Sequence, residues 1–156
     1  MVDRPSPNYN ARRSPIQLIV VHADASPSES ATLSWLASPK SQVSYHVLIG
    51  RDGLCYRIVP DNRRAWHAGQ AAWGSVGDVN GVSLGVAVSN RQDGKEPITP
   101  AQFRVLTQVI AEWRTTYPTI QAVVTHKQCA RPVGRKHDPD AAPNWLDNAH
   151  SVGVTL

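Results

Sequence analysis

Three short apolar runs stand out in an otherwise mixed chain. Residues 16–22 read Ile16-Gln17-Leu18-Ile19-Val20-Val21-His22, and a second run, Ala122-Val123-Val124-Thr125, leads into His126. Near-continuous apolar runs of this length fit strands buried on both faces of a sheet. The third, Val82-Ser83-Leu84-Gly85-Val86-Ala87-Val88, predicts another strand, in which Gly85 permits close approach to the backbone. Residues 43–49 and 54–59 predict two further strands, joined through Asp52-Gly53 as a hairpin. Helical spacing is clearest after Thr99. That residue can cap the helix, Pro100 suits its first turn, and Gln102 completes a capping box. Phe103, Leu106, Ile110, Trp113 and Tyr117 then recur at steps of three and four, marking one apolar stripe that ends at Tyr117-Pro118. A shorter helix through residues 32–36, capped by Ser28 or Ser30, must stop before Pro39. Another is expected near Trp145-Leu146.

Residues 1–15 carry three Pro and three Arg without periodicity and read as an extended N-terminal arm. The domain proper is expected over 16–156. Residues 61–81, rich in Gly and holding Trp66 and Trp73, form a long connection of the kind more often used as a functional surface than as filler. Strands alternating with helices predict an α/β single domain, a central mixed β-sheet flanked by helices.

Composition narrows the function. The 156 residues suffice for one self-sufficient core, and 41% hydrophobic against 18% charged residues is an ordinary globular balance. A formal charge of +4 draws the chain to anionic polymers. No basic run is interleaved with aromatics as a nucleic-acid groove requires, so that partner is set aside. Five Trp against a single Phe suit surfaces that meet sugars, although burial is the commoner use. Cys55 and Cys129, 74 positions apart, make no disulfide framework and read as reduced thiols. With neither an apolar leader at Met1-Val2-Asp3-Arg4-Pro5 nor a membrane-spanning run, the expectation is a monomer made in the cytoplasm, which acts on a wall only if something releases it.

His22 and His126 each close an apolar run. If those strands are neighbours, both imidazoles emerge at one sheet edge, where loops build sites. Asp138, in Arg135-Lys136-His137-Asp138-Pro139, follows twelve residues after His126. Two imidazoles and one carboxylate suit a catalytic Zn²⁺, which takes three protein ligands and keeps one position open. His137 is the second choice for the third ligand, His46 reads as a core or supporting group, and His150 as uninvolved.

Val20-Val21-His22, Ser44-Tyr45-His46, Ala65-Trp66-His67-Ala68-Gly69, Asn80-Gly81-Val82-Ser83-Leu84-Gly85, Thr125-His126 and Arg135-Lys136-His137-Asp138-Pro139 stand in the order seen in the zinc N-acetylmuramoyl-L-alanine amidases. The chain resembles that family from about Ser6 to Trp145. The family includes phage lysozyme-type amidases, cell-wall-recycling amidases and peptidoglycan recognition proteins. The resemblance implies a peptidoglycan-recognition-like fold and zinc held by His22, His126 and Asp138. It makes Lys136 the catalytic lysine beside the metal and peptidoglycan or a muropeptide the substrate. It implies that Tyr45 hydrogen-bonds near the attacking water, and that the loop carrying Trp66, His67, Trp73 and Asn80 contacts glycan or peptide. Recycling-type members carry a glutamate at the position of Ala87. With Tyr45 present and Ala87 lacking a carboxylate, the chain looks closer to lytic phage enzymes in its proton handling, whereas Asp138 looks like the recycling branch. A lytic amidase is the expectation, with recycling of anhydro-muropeptides the alternative and a non-catalytic peptidoglycan-binding module behind both.

Overall fold

A computed structural model describes residues 1–155. The chain runs β1 (Val2–Asp3), β2 (Tyr9–Ala11), β3 (Leu18–Ala23), α1 (Glu29–Ala37), β4 (Val47–Ile49), β5 (Cys55–Arg57) and β6 (Arg63–Ala65). It continues through α2 (Val79–Val82), β7 (Ser83–Val88), α3 (Pro100–Thr116), β8 (Ala122–Thr125), α4 (His126–Cys129) and α5 (Trp145–Asn148). Six strands form a mixed sheet in the order β1-β5-β4-β7-β3-β8. Its centre is parallel: β3 pairs with both β7 and β8, and β7 with β4. Only the β4–β5 hairpin runs antiparallel within it.

Every residue of β3 and β7 is buried, as their continuous apolar reading predicts. Alternation divides them between two layers. Ile19, Val21, Leu84, Val86, Val47 and Ile49 pack on Leu106, Val109, Ile110 and Trp113 of α3 and on Trp145. On the opposite face Val20 and Val124 meet Ala68, Ala71, Val79 and Cys129, while Leu48 and Ala87 join Leu36, Tyr56 and Ile58. His22, Ser83 and Gly85 have the parity of this second face.

Helix α3 begins where the capping box predicts, with both Thr99 and Gln102 bonds present. Gln102 is itself buried and extends the cap into the sheet, its amide donating to the Ser89 and Ile49 carbonyls at 2.8 and 3.3 Å. Ser28 is the cap of α1. The strand expected over 43–49 shortens to Val47–Ile49, because Ser44 bonds to the Trp66 segment instead of a ladder: Ser44 N–H donates to the Trp66 carbonyl at 3.0 Å. Residues 61–81 hold β6 and α2 rather than loop alone.

The extended N-terminal segment lies against the sheet. β1 pairs parallel with β5, and β2 pairs antiparallel with β6. Buried Asn8 donates its side-chain amide to Ser38 O, Ser41 Oγ and Val43 O at 2.8–3.1 Å, tying the segment to the end of α1.

Candidate metal centre

The register of the central strands assembles the site. Val21 sits opposite Thr125 on the neighbouring parallel strand, so His22 and His126 emerge together, their ring centroids 4.5 Å apart. Thr125 and Gln128 form a capping box that turns the chain into α4 directly after the strand, placing His126 in the first turn. The chain then returns through residues 131–141. Lys127 N–H donates to the Asp138 carbonyl at 3.2 Å, fixing the loop where Asp138 reaches the two rings. Its carboxylate lies 3.3 Å from His22 Nδ1 and 3.1 Å from His126 Nδ1.

Ligand atoms of His22, His126 and Asp138 all fall within 4.8 Å of one another. The outer nitrogens are already engaged: His126 Nε2 donates to the Ala68 carbonyl at 3.1 Å, and His22 Nε2 meets His67 Nδ1 at 3.0 Å. Two Nδ1 atoms and a carboxylate therefore face one point. Bonds of about 2.0–2.1 Å from a tetrahedral ion would set such donors roughly 3.4 Å apart, so the donor set fits a zinc-sized cation. Electrostatics agree. Burial pushes the His22 pKa down to about 4, despite the Asp138 carboxylate, so the ring is neutral at pH 7. Burial alone would raise the Asp138 carboxyl, but hydrogen bonds from His126 and His22 hold it well below the usual carboxylate range.

Lys136 is exposed on the same loop, near enough for its charge to depress His22 further. Tyr45, half-buried, places its ring 5.2 Å from that of His22. Its hydroxyl pKa is raised, first by burial and then by the Asp138 and Asp24 carboxylates, so it stays protonated and can donate. Tyr45 also lines a groove of about 450 Å³ with Asp24, Thr32, Val43 and the exposed Trp35. His137 is exposed and outside the triad, and His46 is a buried core group, its Nδ1 accepting from Gly85 N–H at 2.9 Å.

The long loop departs from the expected substrate surface. His67 is buried and both ring nitrogens are occupied, by His22 and by Ser83 Oγ at 3.1 Å. Asn80 is also buried, its Oδ1 accepting from His67 N–H and Ala68 N–H at 3.2 and 2.8 Å. The His67 ring therefore presents no free nitrogen to a groove. Trp66 and Trp73 remain half-exposed; the first donates Nε1–H to Asn10 Oδ1 at 3.2 Å and the second packs beside the Val20 cluster. Sequence reasoning missed Ser83 and the Ala68 carbonyl. The one signal for them was Gly85, whose missing side chain makes room for the His67 ring.

The N-acetylmuramoyl-L-alanine amidase family model matches residues 12–141, a span that contains all three candidate ligands. The chain belongs to this family. It is a hydrolase of the amidase class. The 1,6-anhydro-N-acetylmuramyl-L-alanine amidase AmpD of Citrobacter freundii is 30% identical over 162 residues, covering 90% of this chain and 84% of that protein. The N-acetylmuramoyl-L-alanine amidase AmiD of Escherichia coli K12 is also 30% identical, over 83% of this chain and 51% of its own length. In three dimensions the fold is that of AmpD: a crystal structure of its selenomethionine derivative superposes with a TM-score of 0.78, at 29% identity over 99% of this chain and 94% of that one. An Escherichia coli AmiD complex with anhydro-N-acetylmuramic acid-L-Ala-D-gamma-Glu-L-Lys gives 0.76 at 27% identity, covering 94% and 62%. A Clostridium intestinale endolysin amidase, at 22% identity, 0.62, and coverage of 99% and 95%, shares the fold alone. The lytic expectation therefore has less behind it than the anhydro-muropeptide alternative.

Proposed function

We propose that the chain is a zinc amidase that cleaves the amide between the lactyl group of N-acetylmuramic acid and L-alanine, and that its substrates are soluble anhydro-muropeptides. The convergence of His22 Nδ1, His126 Nδ1 and the Asp138 carboxylate carries the catalytic reading. Likeness to AmpD over most of both proteins supports the substrate class.

When bound, zinc supplies Lewis acidity and makes hydroxide available near neutral pH. The protein's part is orientation and charge. His22, His126 and Asp138 would hold the ion. The Lys136 ammonium, on the ligand loop, stabilises the oxyanion that forms as water adds to the scissile carbonyl. Tyr45, kept protonated beside His22, donates a hydrogen bond that orients the attacking water. The groove beside Tyr45 gives the sugar or peptide a wall at Trp35.

Ala87 lends the lytic reading its one specific support, since the chain lacks the carboxylate that recycling-type members carry there. Mass spectrometry of products from soluble anhydro-muropeptides, set beside turbidity loss of purified sacculi, separates the two. Faster release of stem peptide from the soluble substrate, abolished by EDTA, is expected. Preferential clearing of sacculi would return the assignment to a lytic enzyme.

A further inference from the structure

The segment Ala65-Trp66-His67-Ala68-Gly69 turns His67 and the Ala68 carbonyl toward the imidazoles of the candidate ligands. The Ser83 hydroxyl has one hydrogen, and that hydrogen is committed to the Val79 carbonyl at 2.6 Å. Ser83 Oγ must therefore accept from His67 Nε2–H across 3.1 Å. With its proton on Nε2, neutral His67 offers a bare Nδ1 to His22 Nε2, 3.0 Å away. His22 thus carries its own proton on Nε2, and its Nδ1 lone pair points at the Asp138 side of the site. One residue on, the Ala68 carbonyl takes Nε2–H of His126 at 3.1 Å and frees the second Nδ1 in the same way.

The segment is held firmly enough to do this. Asn80 Oδ1 gathers the backbone N–H groups of both His67 and Ala68. A Cβ on Gly85 would lie 2.6 Å from His67 Cγ, so glycine in mid-strand is what allows the ring to rest on the sheet.

We propose that His67 is a positioning residue of the metal centre. Through the relay Val79–Ser83–His67–His22 it fixes the His22 tautomer with Nδ1 presented to the metal, while the adjacent Ala68 carbonyl does the same for His126. The proposal rests on the zinc reading above and reassigns the loop from substrate contact to ligand orientation. Partners of this kind typically change metal affinity by about tenfold to a hundredfold.

The test compares His67→Phe, a flat ring of similar size without polar atoms, with His67→Gln, which keeps an acceptor for His22 and a donor for Ser83. Zinc affinity of the full chain is measured by competition with a chromophoric chelator. The visible spectrum of the cobalt(II) form is recorded, and thermal unfolding of each metal-free form shows that it folds. His67→Phe should bind zinc about tenfold to a hundredfold more weakly with a shifted cobalt spectrum, and His67→Gln should recover most of both. Ser83→Ala, which removes only the far end of the relay, should weaken zinc in the same direction and serves if His67→Phe fails to fold. Parental zinc affinity and cobalt spectrum in His67→Phe, with a raised KM for muropeptide, would overturn the proposal and restore substrate contact. Absence of stoichiometric zinc in the parent is a distinct result, because it removes the metal reading itself.

Discussion

The two faces of the central sheet are made from alternate residues of the same strands, yet they obey different rules. On the α3 face, Ile19, Val21, Leu84, Val86, Val47 and Ile49 are interchangeable in kind: each contributes apolar area, and Leu106, Ile110 and Trp113 close over them. On the other face His22, Ser83 and Gly85 are not interchangeable at all. His22 must present one particular nitrogen, Ser83 must accept while it donates, and Gly85 must be bare. One face therefore supplies stability through area, and the other spends well-ordered backbone on the direction of a few lone pairs.

The sharpest way to break this contrast is to remove a ligand. Asp138→Ala should lower kcat/KM by at least about a thousandfold, because the chemistry that makes hydroxide available is lost with the ion. Elemental analysis should show the loss of stoichiometric zinc, while the fold, resting on the opposite face, persists by circular dichroism. Full activity in this variant would remove Asp138 from the centre.

The converse substitution lies on α3. Leu106 is fully buried, and Leu106→Ala should cost about 2–5 kcal/mol through lost transfer energy and a residual cavity. That is a large part of the roughly 5–15 kcal/mol typical of a domain. A denaturant midpoint reads it, and zinc affinity of the folded protein should not move. A matching fall in zinc affinity would show that the two faces are coupled.

How much of this could be read in the sequence follows the same division. Area leaves a pattern: the apolar runs give β3, β7 and β8, and Thr99, Pro100 and Gln102 place the start of α3. The triad could be suspected because His22 and His126 end two such runs and a parallel register brings strand ends together. Direction leaves almost no pattern. That His67 faces His22 depends on Asn80 gathering two backbone N–H groups from thirteen and twelve residues away. The tie of Ser44 to Trp66, which shortens β4, likewise depends on a contact between distant segments and on no local propensity. Gly85 alone hinted at the His67 ring, as a gap in a strand that has no bulge to explain it.

The mildest perturbation is acid, applied to the metal-free protein. Burial depresses the His46 pKa to about 3 and the His22 pKa to about 4, and holds His67 well below its ordinary value. In the unfolded chain each ring titrates near 6.5. Between pH 6.5 and about 4 the unfolded state therefore binds protons that the folded state refuses, so stability falls as the pH falls. His46 contributes a slope that starts at roughly half and rises toward about 1 kcal/mol per pH unit as the unfolded ring becomes fully protonated, and His22 and His67 act in the same direction. Asp138 works elsewhere: its lowered carboxyl stabilises the fold above the ordinary carboxylate pKa and loses that effect only below it. Asp24, raised by burial, has the opposite sign and gains slightly on acidification. Urea midpoints of EDTA-treated protein at pH 7, 6 and 5 should accordingly decline, more steeply below pH 6, and His46→Gln should flatten the decline by about 1 kcal/mol per unit. The same series on Leu106→Ala should run parallel to the parent, since that substitution leaves every imidazole buried. A flat parental curve between pH 7 and 5 would mean that the histidine face admits protons as readily as water does, and the distinction between the two faces would not hold.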